Sequence, residues 1–97
     1  MTVVVLWFMA AEPEVIEQGF AERSAMRQRH DCQSARLLAD RVDPDRFLVL
    51  LEFPSRAAAD AYVTESSFVH GGKNLAAMSD RVIGYYDDLE SWPRAAT

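Results

Sequence analysis

Asp43-Pro44-Asp45-Arg46-Phe47-Leu48-Val49-Leu50-Leu51-Glu52-Phe53-Pro54-Ser55 decides how the rest of this chain must fold. Adjacent Asp and Pro suit the first two places of a type I turn. At the other end, Ser55 is placed to cap a helix by accepting a hydrogen bond from a free backbone N–H. Between them, Phe47 to Phe53 is apolar except for Glu52. Bounded by turn chemistry at this length, it reads as a strand apolar on both faces. Such a strand needs cover on both sides. The chain's own helices supply one cover, and the other requires a further layer.

Upstream, Cys32 to Val42 reads as a strand that joins the central one through the Asp43-Pro44 turn as an antiparallel hairpin. Gln33, Ala35, Leu37 and Ala39 share one of its faces, and Ser34, Arg36, Leu38 and Asp40 share the other. Downstream, Arg56 to Val63 is an alanine-rich helix. Ser66 and Ser67 look like a fresh cap, after which Phe68, Gly71, Gly72, Leu75 and Met78 recur at helical spacing. Gly71-Gly72 makes a poor helix interior. The expectation is a second helical segment broken in two, resuming near Lys73. Arg81 to Leu89 reads as the last strand, with Tyr85 and Tyr86 on opposite faces. At the N-terminal end, Thr2 to Met9 is rich in β-branched and aromatic residues and reads as a strand. A helix over 13–29 follows, with Pro13 in its first turn, acidic residues at its start and Arg23, Arg27, Arg29 and His30 toward its end. The order β-α-β-β-α-β is the α+β, ferredoxin-like pattern with an antiparallel sheet. Residues 1–90 form one domain in this reading, and 91–97 form a tail.

The composition sets bounds on function. Ninety-seven residues, 49% hydrophobic and 26% charged, are enough for a core without disulfides. The net charge of −5, with the two signs interspersed, argues against nucleic acid as a partner. Cys32 is the single cysteine, and no Cys/His cluster points to zinc. Met1 to Met9 is too short to span a bilayer and lacks the features of a secretory signal. The expectation is a soluble cytoplasmic protein with no membrane partner. An antiparallel sheet with one wet face alternates in polarity, and the first and third strands do not. A second copy is therefore expected over the bare face, making a homodimer.

At this point the chain resembles the antibiotic biosynthesis monooxygenase family of dimeric α+β barrels. The resemblance runs through Asp43-Pro44, Phe47, Glu52 and Ser55 to Ala58, Ala61-Tyr62 and Ser66/Ser67-Phe68. Phe53-Pro54 stands where that family commonly has Trp and a variable residue, Tyr62 stands where His is usual, and Asp31-Cys32 replaces a common Gly-Cys. The haem-degrading branch uses an Asn in the first strand and a haem-ligating His. Trp7 and Tyr62 occupy roughly those places here, which speaks against haem degradation. The resemblance implies a cofactor-independent monooxygenase acting on an aromatic polyketide, anthrone or quinol-type molecule, with no haem, flavin or metal. A polyketide cyclase and a non-catalytic ligand-binding dimer are the alternatives on the same fold.

Such a reaction takes its electrons from the substrate as an enolate or phenolate. The protein must then bind the ring in a dry pocket and stabilise the anion. The candidates for catalysis are Arg36, His70 and Tyr62. Arg36 is a permanent cation among apolar neighbours that suits an enolate oxygen, or else pairs at the rim with Glu52 or Asp40. His70, beside Gly71-Gly72, suits a general base, or is a solvent-facing histidine. Trp7, Phe53, Tyr85, Phe68 and Gly71 are the candidates for substrate binding. Aromatics at these spacings equally serve as plain core, although a buried tyrosine needs a partner for its hydroxyl.

Overall fold

The computed structural model describes residues 1–93, and for 67–77 it describes the course of the backbone without the side chains. Its elements are β1 (Thr2–Met9), α1 (Pro13–Glu22), α2 (Ser24–Arg29), β2 (Ser34–Ala39), β3 (Arg46–Phe53), α3 (Arg56–Ala77) and β4 (Ser79–Asp87). The strands form one sheet in the order β2-β3-β1-β4. Every pairing is antiparallel, as the ferredoxin-like pattern requires.

The turn before β3 is built as its residues dictate. The Arg46 N–H donates to the Asp43 carbonyl at 3.1 Å, which puts Pro44 and Asp45 at the two central places. The Asp45 N–H donates to Asp43 Oδ1 at 3.0 Å. Asp40 Oδ1 accepts from the backbone N–H groups of Val42 and Asp43 at 2.7 and 2.9 Å. After β3, Ser55 Oγ accepts from the Ala58 N–H at 3.1 Å and caps α3.

Two helical expectations need correction. The helix over 13–29 is interrupted at Arg23, whose φ of −87° and ψ of 5° lie between the helical wells. The second segment, expected to break at Gly71-Gly72, is a single helix from Arg56 to Ala77. Helix growth adds one hydrogen bond per residue once a nucleus exists, so an alanine-rich first half carries the helix through residues of poor propensity. The edge strands also differ in extent: β2 is shorter than Cys32–Val42, and β4, at Ser79–Asp87, lies two residues earlier than Arg81–Leu89. Opposite β1 its register slips between Trp7 and Met9, where Asp80 has a φ of 52°.

The sheet covers its core with one face only. Thr2, Val4, Leu6 and Phe8 of β1 lie in register with Phe53, Leu51, Val49 and Phe47 of β3, all on the helix side. Two core clusters form there. One joins Val4, Leu51, Phe53, Met26, Ala59 and Tyr62; the other joins Phe8, Phe47, Ala10 and Ile16. The Phe8 and Phe47 rings stack with centroids 5.6 Å apart. The opposite face carries Val3, Val5, Trp7, Leu48, Leu50, Leu38, Val82 and Tyr86, with Trp7 46%, Val82 62% and Tyr86 56% exposed. Tyr86 lies back across Gly84, where a Cβ would come within 2.7 Å of its ring.

Candidate active site

Between the helices and the sheet lies a cavity of about 550 Å³. Its floor is the helix-side stripe of the four strands: Val4, Leu6 and Phe8, Leu37, Val49 and Leu51, and Ile83. It occupies the space between the two core clusters, bounded by Ile16 and Phe20 of α1 and by Tyr62 and Val63 of α3. Volumes of 300–1,000 Å³, largely apolar with a few convergent polar groups, are typical of small-molecule sites.

The polar groups gather at two places. On the helix wall stand Arg23, Arg27, Tyr62 and Ser66, and at the start of β4 stand Ser79, Asp80 and Arg81. Arg23 and Arg27 stand four residues apart, the Arg27 N–H donating to the Arg23 carbonyl at 2.9 Å, so they share one helix face, and both line the cavity. Arg27 Nη1 donates to the Phe20 carbonyl at 2.7 Å, and its guanidinium lies over the Phe20 ring, 4.1 Å from the centroid. Burial pushes the Tyr62 phenol above its usual value, with Arg23, Arg27 and Ser66 pulling the other way. At neutral pH Tyr62 is a neutral hydroxyl, able to donate as well as accept. Behind it Phe53 packs with centroids 5.4 Å apart, and His30 meets its ring edge-on at 6.1 Å. His30 and Arg29 both engage the Glu65 carboxylate, tying α2 to α3 next to the site.

The structure brings only part of the expected site together. Tyr62 lines the cavity. Phe53 is wholly buried beneath Tyr62 as core, and Tyr85 sits at the edge of the helix face under the Arg56 guanidinium. Arg36 and Trp7 belong elsewhere. Arg36 is paired with Leu50 and Trp7 with Leu48 on the sheet face turned away from the helices, so neither reaches the cavity. Nor is Arg36 ion-paired among the described residues; Asp40 faces Arg46 instead, at 3.7 Å. The side chains of Phe68 and His70 lie outside what is described, and Gly71 is placed only by the backbone of α3. Arg23 and Arg27 were not among the expected site residues. Their position in the basic end of a helix reads as dipole compensation, and nothing in the local pattern says that their shared face meets the cavity rather than solvent.

Among the described residues no group of His, Cys, Asp and Glu is arranged to hold a metal ion. No helix there is long and apolar enough to cross a membrane.

Fold and cavity together define a small α+β domain with a ligand-sized, mostly apolar chamber under its helices. No protein-family model matches the sequence, and no curated protein does. Solved structures match it closely in shape. SnoaB, a cofactor-independent oxygenase from Streptomyces nogalater, superposes with a TM-score of 0.80 at 19% identity over 96% of this chain and 97% of its own. An antibiotic biosynthesis monooxygenase gives 0.71 at 23% identity, over 93% of this chain and 100% of its own. A protein of Pseudomonas aeruginosa gives 0.73 at 20% identity, over 92% and 94%. The chain has the fold of the antibiotic biosynthesis monooxygenases.

Proposed function

We propose that this protein is a cofactor-independent monooxygenase acting on an aromatic polyketide, anthrone or quinol-type molecule. The observation that carries the reading is the cavity, about 550 Å³, floored by aliphatic and aromatic side chains and equipped with a neutral phenol at Tyr62. The likeness in shape to SnoaB supports it.

In the proposed reaction the substrate's ring methylene loses a proton, and the resulting enolate gives electrons to molecular oxygen. One oxygen atom becomes the new carbonyl. The other leaves as water with the two methylene hydrogens, so the substrate supplies every electron required. The chain's contribution is to exclude water from the ring and to stabilise the enolate oxygen. Tyr62 is the proposed donor to that oxygen, because a protonated phenol beside guanidinium groups gains most as negative charge develops. His70, farther along α3, is the proposed general base on the strength of its chemistry. The outer sheet face supports a homodimer, with a second copy covering Trp7, Val82 and Tyr86.

Oxygen uptake with anthrone as substrate tests the reading. The wild-type chain should consume oxygen with anthraquinone as product, and Tyr62→Phe should lower turnover about 10²-fold, the usual cost of one lost oxyanion donor. Ring closure of a polyketide without oxygen uptake would instead identify a cyclase.

A further inference from the structure

Arg23 and Arg27 are cationic groups for which the proposed ring chemistry needs no second charge. Both line the cavity. Each is anchored to the carbonyl end of α1: Arg23 Nη1 lies 3.5 Å from the Gly19 carbonyl and Arg27 Nη1 2.7 Å from that of Phe20. A guanidinium has five donors, of which these bonds and the contact of Arg27 with the Tyr62 hydroxyl use a minority. Arg23 Nε is buried and has no hydrogen-bond partner among the described residues. The ion pairs among the described residues lie elsewhere, on Glu65, Asp40 and Asp60. Burial works most against the charge on Arg23 and Arg27 adds repulsion, while Tyr62 and Glu22 favour it. Two like charges held together in a half-buried space, without a carboxylate between them, are costly.

We propose that Arg23 and Arg27 form an anion subsite that takes a carboxylate carried by the substrate, separate from the ring that reacts. The inference rests on the reading of the cavity as an aromatic-ring site. A carboxylate between two guanidinium groups relieves their repulsion and satisfies the Nε donor of Arg23 by charge-assisted hydrogen bonds. It also orients the molecule. One end is fixed at the kink between α1 and α2, and the ring lies over Leu6, Val49 and Leu51 beside Tyr62. Asp80 stands with Arg81 across the cavity at the start of β4, so a second anion is not favoured there.

The probes are anthraquinone-2-carboxylate and its neutral carboxamide, whose ring systems do not ionise, with affinities measured by calorimetry on the full chain. The carboxylate should bind at least about tenfold more tightly, the scale of a hydrogen bond to a charged partner. The advantage should shrink in Arg23→Gln and in Arg27→Gln and should weaken with added salt. Retention of part of it in Arg23→Lys would mark charge, rather than the shape of the guanidinium, as the main contributor. Equal binding of the two probes to the wild-type chain would overturn the subsite while leaving the ring site standing. Failure of both probes to bind would overturn the ring site and the subsite with it. Loss of anthrone turnover in the Arg variants, with equal binding of the two probes, would assign the pair to the ring's own enolate and overturn the proposal. A carboxylate preference undiminished when Arg23→Gln and Arg27→Gln are combined would do the same.

Discussion

At the scale of single residues, what a side chain can do here depends on which side of the sheet it emerges. Arg36 and Trp7 have the chemistry for a binding site, and the strand register sends both away from the cavity. Tyr62, placed by α3, is turned into it and kept protonated by burial. Glu65 shows how neighbours set a charge beside the site. Hydrogen bonding from His30 and then Arg29 holds its carboxyl below the ordinary value. A carboxylate depressed in the folded state contributes stability that is present above its unfolded value, 4.5 for a free Glu side chain, and is lost as pH falls through its folded value. Acid melting curves should therefore show a loss of stability below that point, and Glu65→Gln should flatten part of it by lowering stability at neutral and higher pH while leaving the strongly acid end little changed. An acid limb identical in the variant would mean that the contact does not hold α2 to α3.

At the scale of elements, the two helical layers differ in how tightly they meet the sheet. Ala59 of α3 is completely buried in the cluster with Val4, Leu51, Phe53 and Tyr62, where the absence of a longer side chain lets the helix lie close. Ala59→Leu should push α3 outward and cost about 1–3 kcal/mol, the usual penalty of overpacking, measured by denaturant unfolding. Retained stability would mean that the alanine faces spare volume. The kink at Arg23 has the opposite effect. It divides the first helical layer so that α1 sits over Phe8 and Phe47 and α2 over the Tyr62 cluster, and the cavity opens between them. Small residues opposite large ones thus make a solid core at one end and a chamber in the middle.

At the scale of the molecule, the uncovered sheet face is the feature that calls for a partner. Val3, Val5, Leu48 and Leu50 form its centre, with Trp7, Val82 and Tyr86 exposed around them. A contiguous apolar surface of this kind marks an interaction site. The proposed occupant is a second copy of the chain, sheet against sheet. Sedimentation equilibrium at micromolar concentration should give a dimer, and Val5→Lys or Trp7→Lys should give a folded monomer by burying an unpaired charge in the interface. A wild-type monomer would sink the proposal. A dimer unaffected by either substitution would place the interface on another surface.

The order of elements was legible in the chain because it depends on local chemistry. The Asp43-Pro44 turn, the apolar run from Phe47 to Phe53 and the Ser55 cap each act within a few residues, and each is formed as read. The two-sided apolarity of β1 and β3 was equally plain, and the sheet carries an apolar face on each side. The composition of the cavity wall was not. Strand periodicity separates Arg36 from Ala35 and Leu37, but whether a face meets helices or solvent is decided by the packing of α1, α2 and α3 together. The i, i+4 spacing of Arg23 and Arg27 puts them on one helix face, but only the packing of that face against the sheet takes the pair to the cavity. The continuity of α3 through Gly71-Gly72 is likewise a cooperative property, because helix growth from an established first half outweighs the poor propensity of two glycines. Local chemistry determined which elements form. Their packing, which no local pattern encodes, determined which side chains share the site.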